Sequence, residues 1–197
     1  MDKEIIFIRH GEKTPDDFIH LSAEGVVRAQ GLVQYFMQPK GEFRTPSSIY
    51  AMKQADPMSS NRCLETVFPL SQALGIHVQN DFTKYDVWRL RDAILNDPGH
   101  TILVCWEHRM IPWIVHSFQF PVRYWGINPM LEEEDVYDVT WVLKNEKLCI
   151  YRQFKVVNRS IYYHFPRFDL VCTIEKEPSK VPKRTLRSCF RGFHRCC

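Results

Sequence analysis

The chain has 197 residues, 45% of them hydrophobic and 25% charged, an ordinary globular composition with enough length for one substantial core. This excludes disorder over most of the chain, and no apolar run reaches the length of a signal peptide or a bilayer span, so the body is expected in the cytosol. The net charge is +3, but Glu175 to Cys197 alone holds seven Lys/Arg against two Glu. The basic character therefore belongs to the tail, and no nucleic-acid partner is expected.

Lys3 to Ile8 is a short β-branched apolar run, read as a buried strand. A polar loop follows to His20, and Ser22 is placed to cap a helix reaching Met37, with Val26, Ala29, Leu32, Val33 and Phe36 at helical spacing. Ser48 to Met52 reads as a second strand. Ser59 or Ser60 can cap a helix to Leu74, with Cys63, Val67, Leu70 and Leu74 on one face, a kink at Pro69 and Gly75 as its stop.

Ile76 to Val78 is a short third strand, and Tyr85 to Leu95 a helix closed by Asn96-Asp97-Pro98-Gly99. Thr101 to Trp106 is the clearest buried strand. A helix over Arg109 to Ser117 tolerates Pro112 in its first turn. Val136 to Leu143 and Leu148 to Phe154 flank a hairpin turn at Lys144-Asn145-Glu146-Lys147. The alternation predicts an α/β three-layer sandwich: a mostly parallel central sheet, helices on both faces, and a late antiparallel edge hairpin. One domain is expected over 1–166, with a mobile basic tail over 167–197.

Chemistry-bearing residues fall at strand ends and helix starts, where open α/β sheets place ligands. They are Arg9-His10-Gly11-Glu12 after the first strand, Arg62 in the first turn of the second helix, and Glu107-His108 after the fourth strand. An imidazole can attack phosphorus and carry a phosphoryl group covalently. Guanidinium forks match phosphate oxygens bidentately. These types suit phosphoryl transfer without a metal cluster or other cofactor.

Phe7-Ile8-Arg9-His10-Gly11-Glu12 resembles the Arg-His-Gly signature of the histidine phosphatase superfamily, also called phosphoglycerate-mutase-like. Leu21-Ser22-Ala23-Glu24-Gly25 with Ala29-Gln30, the Ser60 to Thr66 helix start, and Ile102 to His108 are similar to further elements of that family in the same order, over roughly residues 3 to 117. The resemblance implies a short-cap member of the family's first branch, with His10 as nucleophile and Arg9, Arg62 and His108 lining a phosphate pocket.

Larger relatives carry a Glu proton donor in an insertion between the second Arg and the second His, and this chain has no room for one. Glu107 is the first candidate acid, ahead of Asp86. Bacterial phosphohistidine phosphatases also lack the insertion, and an easily protonated leaving group needs less acid help. An open site admits a bulky substrate, a phosphomonoester or a phosphoprotein. Gly11, Glu12 and Lys13 are expected beside the substrate, with a solvated surface position as the alternative for Lys13. The alternatives to a phosphatase are a mutase and a phosphate-binding scaffold that has lost turnover.

Trp88, Trp113, Trp125 and Trp141 read as packing residues, and the remaining histidines as core or surface groups. The seven cysteines lack zinc-site spacing. Cys63, Cys105 and Cys149 read as buried free thiols. Cys189 to Arg195 fits Cys-x5-Arg, but without a following helix it does not make a thiolate phosphatase loop. Cys189, Cys196 and Cys197 stand among Arg184, Arg187, Arg191 and Arg195, a pattern that suits lipidation and membrane association, with a plain basic tail as the alternative.

Overall fold

The computed structural model describes residues 3–38, 43–120, 136–162 and 170–175. Among the described residues the elements run in the order β1 (Glu4–Arg9), α1 (Ala23–Met37), β2 (Ser48–Ala51), α2 (Arg62–Leu74), β3 (Val78–Gln79), α3 (Val87–Asn96), β4 (Thr101–Trp106), α4 (Ile111–Ser117), then the strands β5 (Val139–Lys144), β6 (Lys147–Arg152), β7 (Lys155–Val157), β8 (Ser160–Tyr162) and β9 (Leu170–Glu175). The main sheet has the order β3-β2-β4-β1-β5-β6-β9. β3, β2, β4 and β1 are parallel, whereas β5, β6 and β9 add in antiparallel fashion. β7 and β8 form a separate hairpin.

The strand order dictates where the helices lie. Right-handed crossovers carry α1 and α2 over one face as the chain steps from β1 outward to β3. The return through β4 puts α3 and α4 on the other face, and α1 accordingly packs on α2 and α3 on α4. β1 and β4 therefore lie side by side with connections leaving towards opposite faces. This is the crevice at which such sheets bind ligands.

β1 and β4 are buried along their whole length, which is why both read as continuous apolar runs. Ser22 caps α1, its Oγ accepting from the Gly25 amide at 3.1 Å. Gly75 ends α2 in the left-handed region, and that helix runs through Pro69 as one element. Asn145 and Glu146 both take positive φ, giving the tight β5–β6 turn the twist of its strands. A Cβ on Gly31 would sit 2.8 Å from Phe154 and Ile161 side-chain atoms, so only glycine lets α1 approach that corner.

Several expectations change. Asn61, not a serine, precedes α2 and offers no side-chain cap. Val26 is 47% exposed because the buried stripe of α1 runs instead through Gly25, Arg28, Ala29, Leu32 and Phe36. Trp141 is buried, yet Trp88 and Trp113 are exposed, and Trp125 lies outside the described residues. Cys149 is half-buried, unlike Cys63 and Cys105. β9 pairs with β6 and takes the sheet to Glu175, past the Pro166 at which the sequence periodicity fades. That pairing joins segments distant in sequence, for which no local pattern exists. The tail cysteines 189, 196 and 197 lie outside the described residues.

Candidate active site

Arg9 pairs in register with Trp106, so His10 and Glu107 emerge together from the C-terminal ends of β1 and β4. His10 is 3% exposed. Its Nδ1 lies 2.7 Å from the Gly11 carbonyl oxygen. A carbonyl only accepts, so Nδ1 carries the ring hydrogen and the lone pair resides on Nε2. Burial, opposed by the Gly11 hydrogen bond and reinforced by Arg62, Arg9 and His108, pulls the His10 pKa down to about 3. The neutral imidazole is thus held in one tautomer, with two guanidinium groups and a second imidazole around it.

Those groups come from β1, from α2 and from the turn after β4. Arg9 is buried, its Nη1 donating to the Val136 carbonyl at 2.9 Å and its guanidinium lying 4.1 Å from the centre of the Tyr137 ring. Arg62, at the start of α2, donates from Nη1 to the Phe18 carbonyl at 2.7 Å. Its buried Nε has no hydrogen-bond partner among the described residues. His108 is 7% exposed, and burial together with Arg9, Arg109 and Lys13 lowers its pKa to about 3. Lys13 therefore stands within electrostatic reach of His108.

Two residues expected to touch substrate have other engagements. The Gly11 carbonyl meets His10, and its amide donates to Thr66 Oγ1 at 2.8 Å. The Glu12 carboxylate is gripped by Arg28, with Nε 2.9 Å from both its oxygens and Nη2 2.6 Å from Oε1. Arg28 also donates to Gln153 and to the Phe154 carbonyl. Gly11 and Glu12 thus tie the loop after β1 to α2, α1 and the end of β6.

The two candidate acids differ in setting. Glu107 Oε1 accepts from the Arg109 amide at 3.2 Å and stands 3.3 Å from His108 Nδ1. Asp86 lies before α3, where its carboxylate takes the Thr83 amide and hydroxyl at 2.9 and 2.6 Å and Arg89 at 3.0 Å. The Thr83 bonds, chief among these partners, hold its pKa below the usual carboxylate value. Asp86 is an ionised turn residue and a poor proton donor.

Sequence reasoning missed three contributors. Thr66 Oγ1 bridges the Gly11 amide and the Arg62 carbonyl, 2.7 Å away. It was visible in the helix-start motif, without a role. Val136 and Tyr137 reach Arg9 only because β5 pairs with β1, and no local signal announces that. Among the described residues no group of three or more His, Cys, Asp or Glu is placed to hold a metal ion, and no helix is long and apolar enough to cross a membrane.

No model of a known protein family matches the chain, and no curated protein does. Solved structures are similar to it at low identity. A phosphoglycerate mutase from Plasmodium falciparum is 17% identical, with a TM-score of 0.49 over 84% of this chain and 96% of the other. The protein histidine phosphatase SixA complexed with tungstate is 11% identical, with a TM-score of 0.43 over 88% and 97%. A phosphoserine phosphatase from Entamoeba histolytica is 12% identical, with a TM-score of 0.39 over 86% and 98%. At these values the likeness leaves function to be argued from the pocket itself.

The site makes two predictions. A Cβ on Gly25 would lie 2.4 Å from the Glu12 carbonyl oxygen and 3.0 Å from its amide, both backbone atoms. Gly25→Ala is therefore expected to cost about 3 kcal/mol, as an overpacked site does, measured by urea unfolding. The second concerns acid. The folded pKa values of His10 and His108 lie below the unfolded value of about 6.5, so the unfolded chain binds more protons between these limits. Stability is expected to be complete above about pH 6.5 and to fall as pH drops towards 3. Thermal melts of His108→Gln should show a shallower decline than wild type across that window.

Proposed function

We propose that this chain is a phosphatase that hydrolyses a phosphomonoester or phosphoprotein, without a metal ion, through a phosphohistidine at His10. The observation that carries this reading is the buried His10 imidazole, fixed by the Gly11 carbonyl with its nucleophilic Nε2 unblocked by that bond, among Arg9, Arg62 and His108. A neutral imidazole attacks phosphorus; a protonated one does not. The two guanidinium groups neutralise the equatorial oxygens as the phosphoryl group passes to nitrogen, and His108 donates a further hydrogen bond.

The bond from phosphorus to the leaving oxygen breaks as the N–P bond forms, and water then attacks phosphorus and restores His10. Lys13, by its position near His108, supports binding of substrate anions. Glu107 supports His108 from 3.3 Å. The test is phosphate release from an aryl phosphate in the presence of EDTA, compared between wild type and His10→Ala. Turnover that resists chelation and disappears in the variant is the expected result. Turnover that persists in His10→Ala would sink the reading.

A further inference from the structure

A guanidinium buried as deeply as that of Arg9, which is 1% exposed, needs something other than water to hold it. A charge taken out of water is costly unless neighbouring groups compensate it. Two such groups come from the residues that lead into β5. The Val136 carbonyl accepts from Nη1 at 2.9 Å, and the Tyr137 ring centre lies 4.1 Å from the Cζ carbon.

The same ring borders the candidate nucleophile. Its centre is 6.1 Å from that of the His10 imidazole, with the two planes inclined at 52°. Tyr137 is itself buried, so one side chain packs against two functional groups of the pocket.

The backbone bearing that ring is fixed on its far side. The Asp138 carbonyl accepts the Gln153 amide at 2.6 Å, and the Asp138 carboxylate takes Arg152 Nη1 at 2.7 Å. Two residues further on, Thr140 pairs with Ile8 of β1. Gln153 also accepts from Arg28, the residue that grips Glu12. The segment carrying Tyr137 and the loop carrying His10 therefore share an anchor at the end of β6.

An aromatic face and a hydrogen-bond acceptor engage different parts of a guanidinium. The ring attracts the cation through its electron-rich face, whereas the N–H donors all lie in the guanidinium plane. A guanidinium held by a ring can still turn in-plane donors towards phosphate oxygens. A carboxylate in the place of the ring would compete for those donors and cancel the charge that phosphate needs. An aromatic ring does neither.

We propose that Tyr137 is a positioning residue whose ring, with the Val136 carbonyl, presents the Arg9 guanidinium to a phosphoryl group beside His10. That Arg9 meets a phosphoryl group there rests on the phosphohistidine reading above. Tyr137 acts through Arg9 and does not touch the substrate. A donor held in place beforehand needs no rearrangement when the phosphoryl group arrives.

The experiment compares wild type with Tyr137→Phe, Tyr137→Leu and replacement of Tyr137 by trifluorophenylalanine. Fluorination keeps the shape of the phenylalanine ring and withdraws negative charge from its face. Two properties are read: the Kd of inorganic phosphate by calorimetry, and kcat/KM for p-nitrophenyl phosphate. Tyr137→Phe should stay within about threefold of wild type in both, because the ring face is retained. Tyr137→Leu and the fluorinated variant should each bind phosphate about 30-fold more weakly and lose a similar factor in kcat/KM, the scale of a desolvated cation–π contact.

A ring that only fills space would leave the fluorinated variant equal to Tyr137→Phe, and that result would overturn the proposal. So would a Tyr137→Phe variant as impaired as Tyr137→Leu, since the hydroxyl would then be the active part. Turnover that survives His10→Ala, beside the expected order of phosphate binding, would overturn the phosphohistidine reading and uphold the role of Tyr137. A wild type that binds no phosphate would overturn both.

Discussion

Turnover is expected to fall by about a million-fold in His10→Ala, the scale on which covalent hydrolases respond to loss of their nucleophile. Alanine removes the proposed nucleophilic nitrogen, while leaving the arginines proposed to bind phosphate. The variant should therefore still bind inorganic phosphate, and its melting temperature should still rise when phosphate is added, because a ligand of the folded state stabilises it by mass action. Denaturing a wild-type reaction in alkali and probing for acid-labile phosphohistidine checks the same point directly. Signal in wild type and none in His10→Ala is the expected pair. A residual rate within tenfold of wild type would assign the chemistry to another group.

Arg28→Met should be the most damaging substitution that leaves every candidate phosphate ligand in place. Arg28 is 3% exposed and its head group meets Glu12, Gln153 and Phe154 together. Methionine matches much of the volume but strands the Glu12 carboxylate, which is only 17% exposed. Breaking a buried pair from one side costs about 3 kcal/mol or more, and urea unfolding measures it. Because Glu12 follows Gly11, whose carbonyl fixes the His10 ring, activity of the folded fraction should fall as well. Glu12→Gln with Arg28→Met should recover stability in part, since the uncompensated charge is gone. A single Arg28→Met variant as stable as wild type would show that the loop is held elsewhere.

Much of the fold was legible from local pattern. β1 and β4 announced themselves as apolar runs because both are buried on two faces, and the Ser22 cap, the Gly75 stop and the tight turn at Asn145-Glu146 each act within a few residues. Arg9, His10, Arg62 and His108 were legible as a set because the chemistry of phosphate restricts the residue types that can serve. Gly11 and Glu12 were expected beside the substrate from their place next to His10 in the chain, a position that says nothing of which way a group faces. The Gly11 amide bonds Thr66 and the Glu12 carboxylate bonds Arg28, contacts that anchor the loop carrying His10.

The sequence by itself determined the alternation of strands and helices and the residue types able to handle a phosphoryl group, because both depend on short-range periodicity and intrinsic side-chain chemistry. Only the tertiary structure decided which of those residues meet. β5 pairing with β1 set Tyr137 under Arg9, and the β1–β4 register brought His10 level with Glu107. Tertiary contacts also placed His20 against Glu65 across 45 residues of chain and gave Asp86 to Thr83 as a turn residue. Protonation followed from these placements, since burial and neighbouring charge, which no linear pattern encodes, hold His10 neutral and raise the proton affinity of His20.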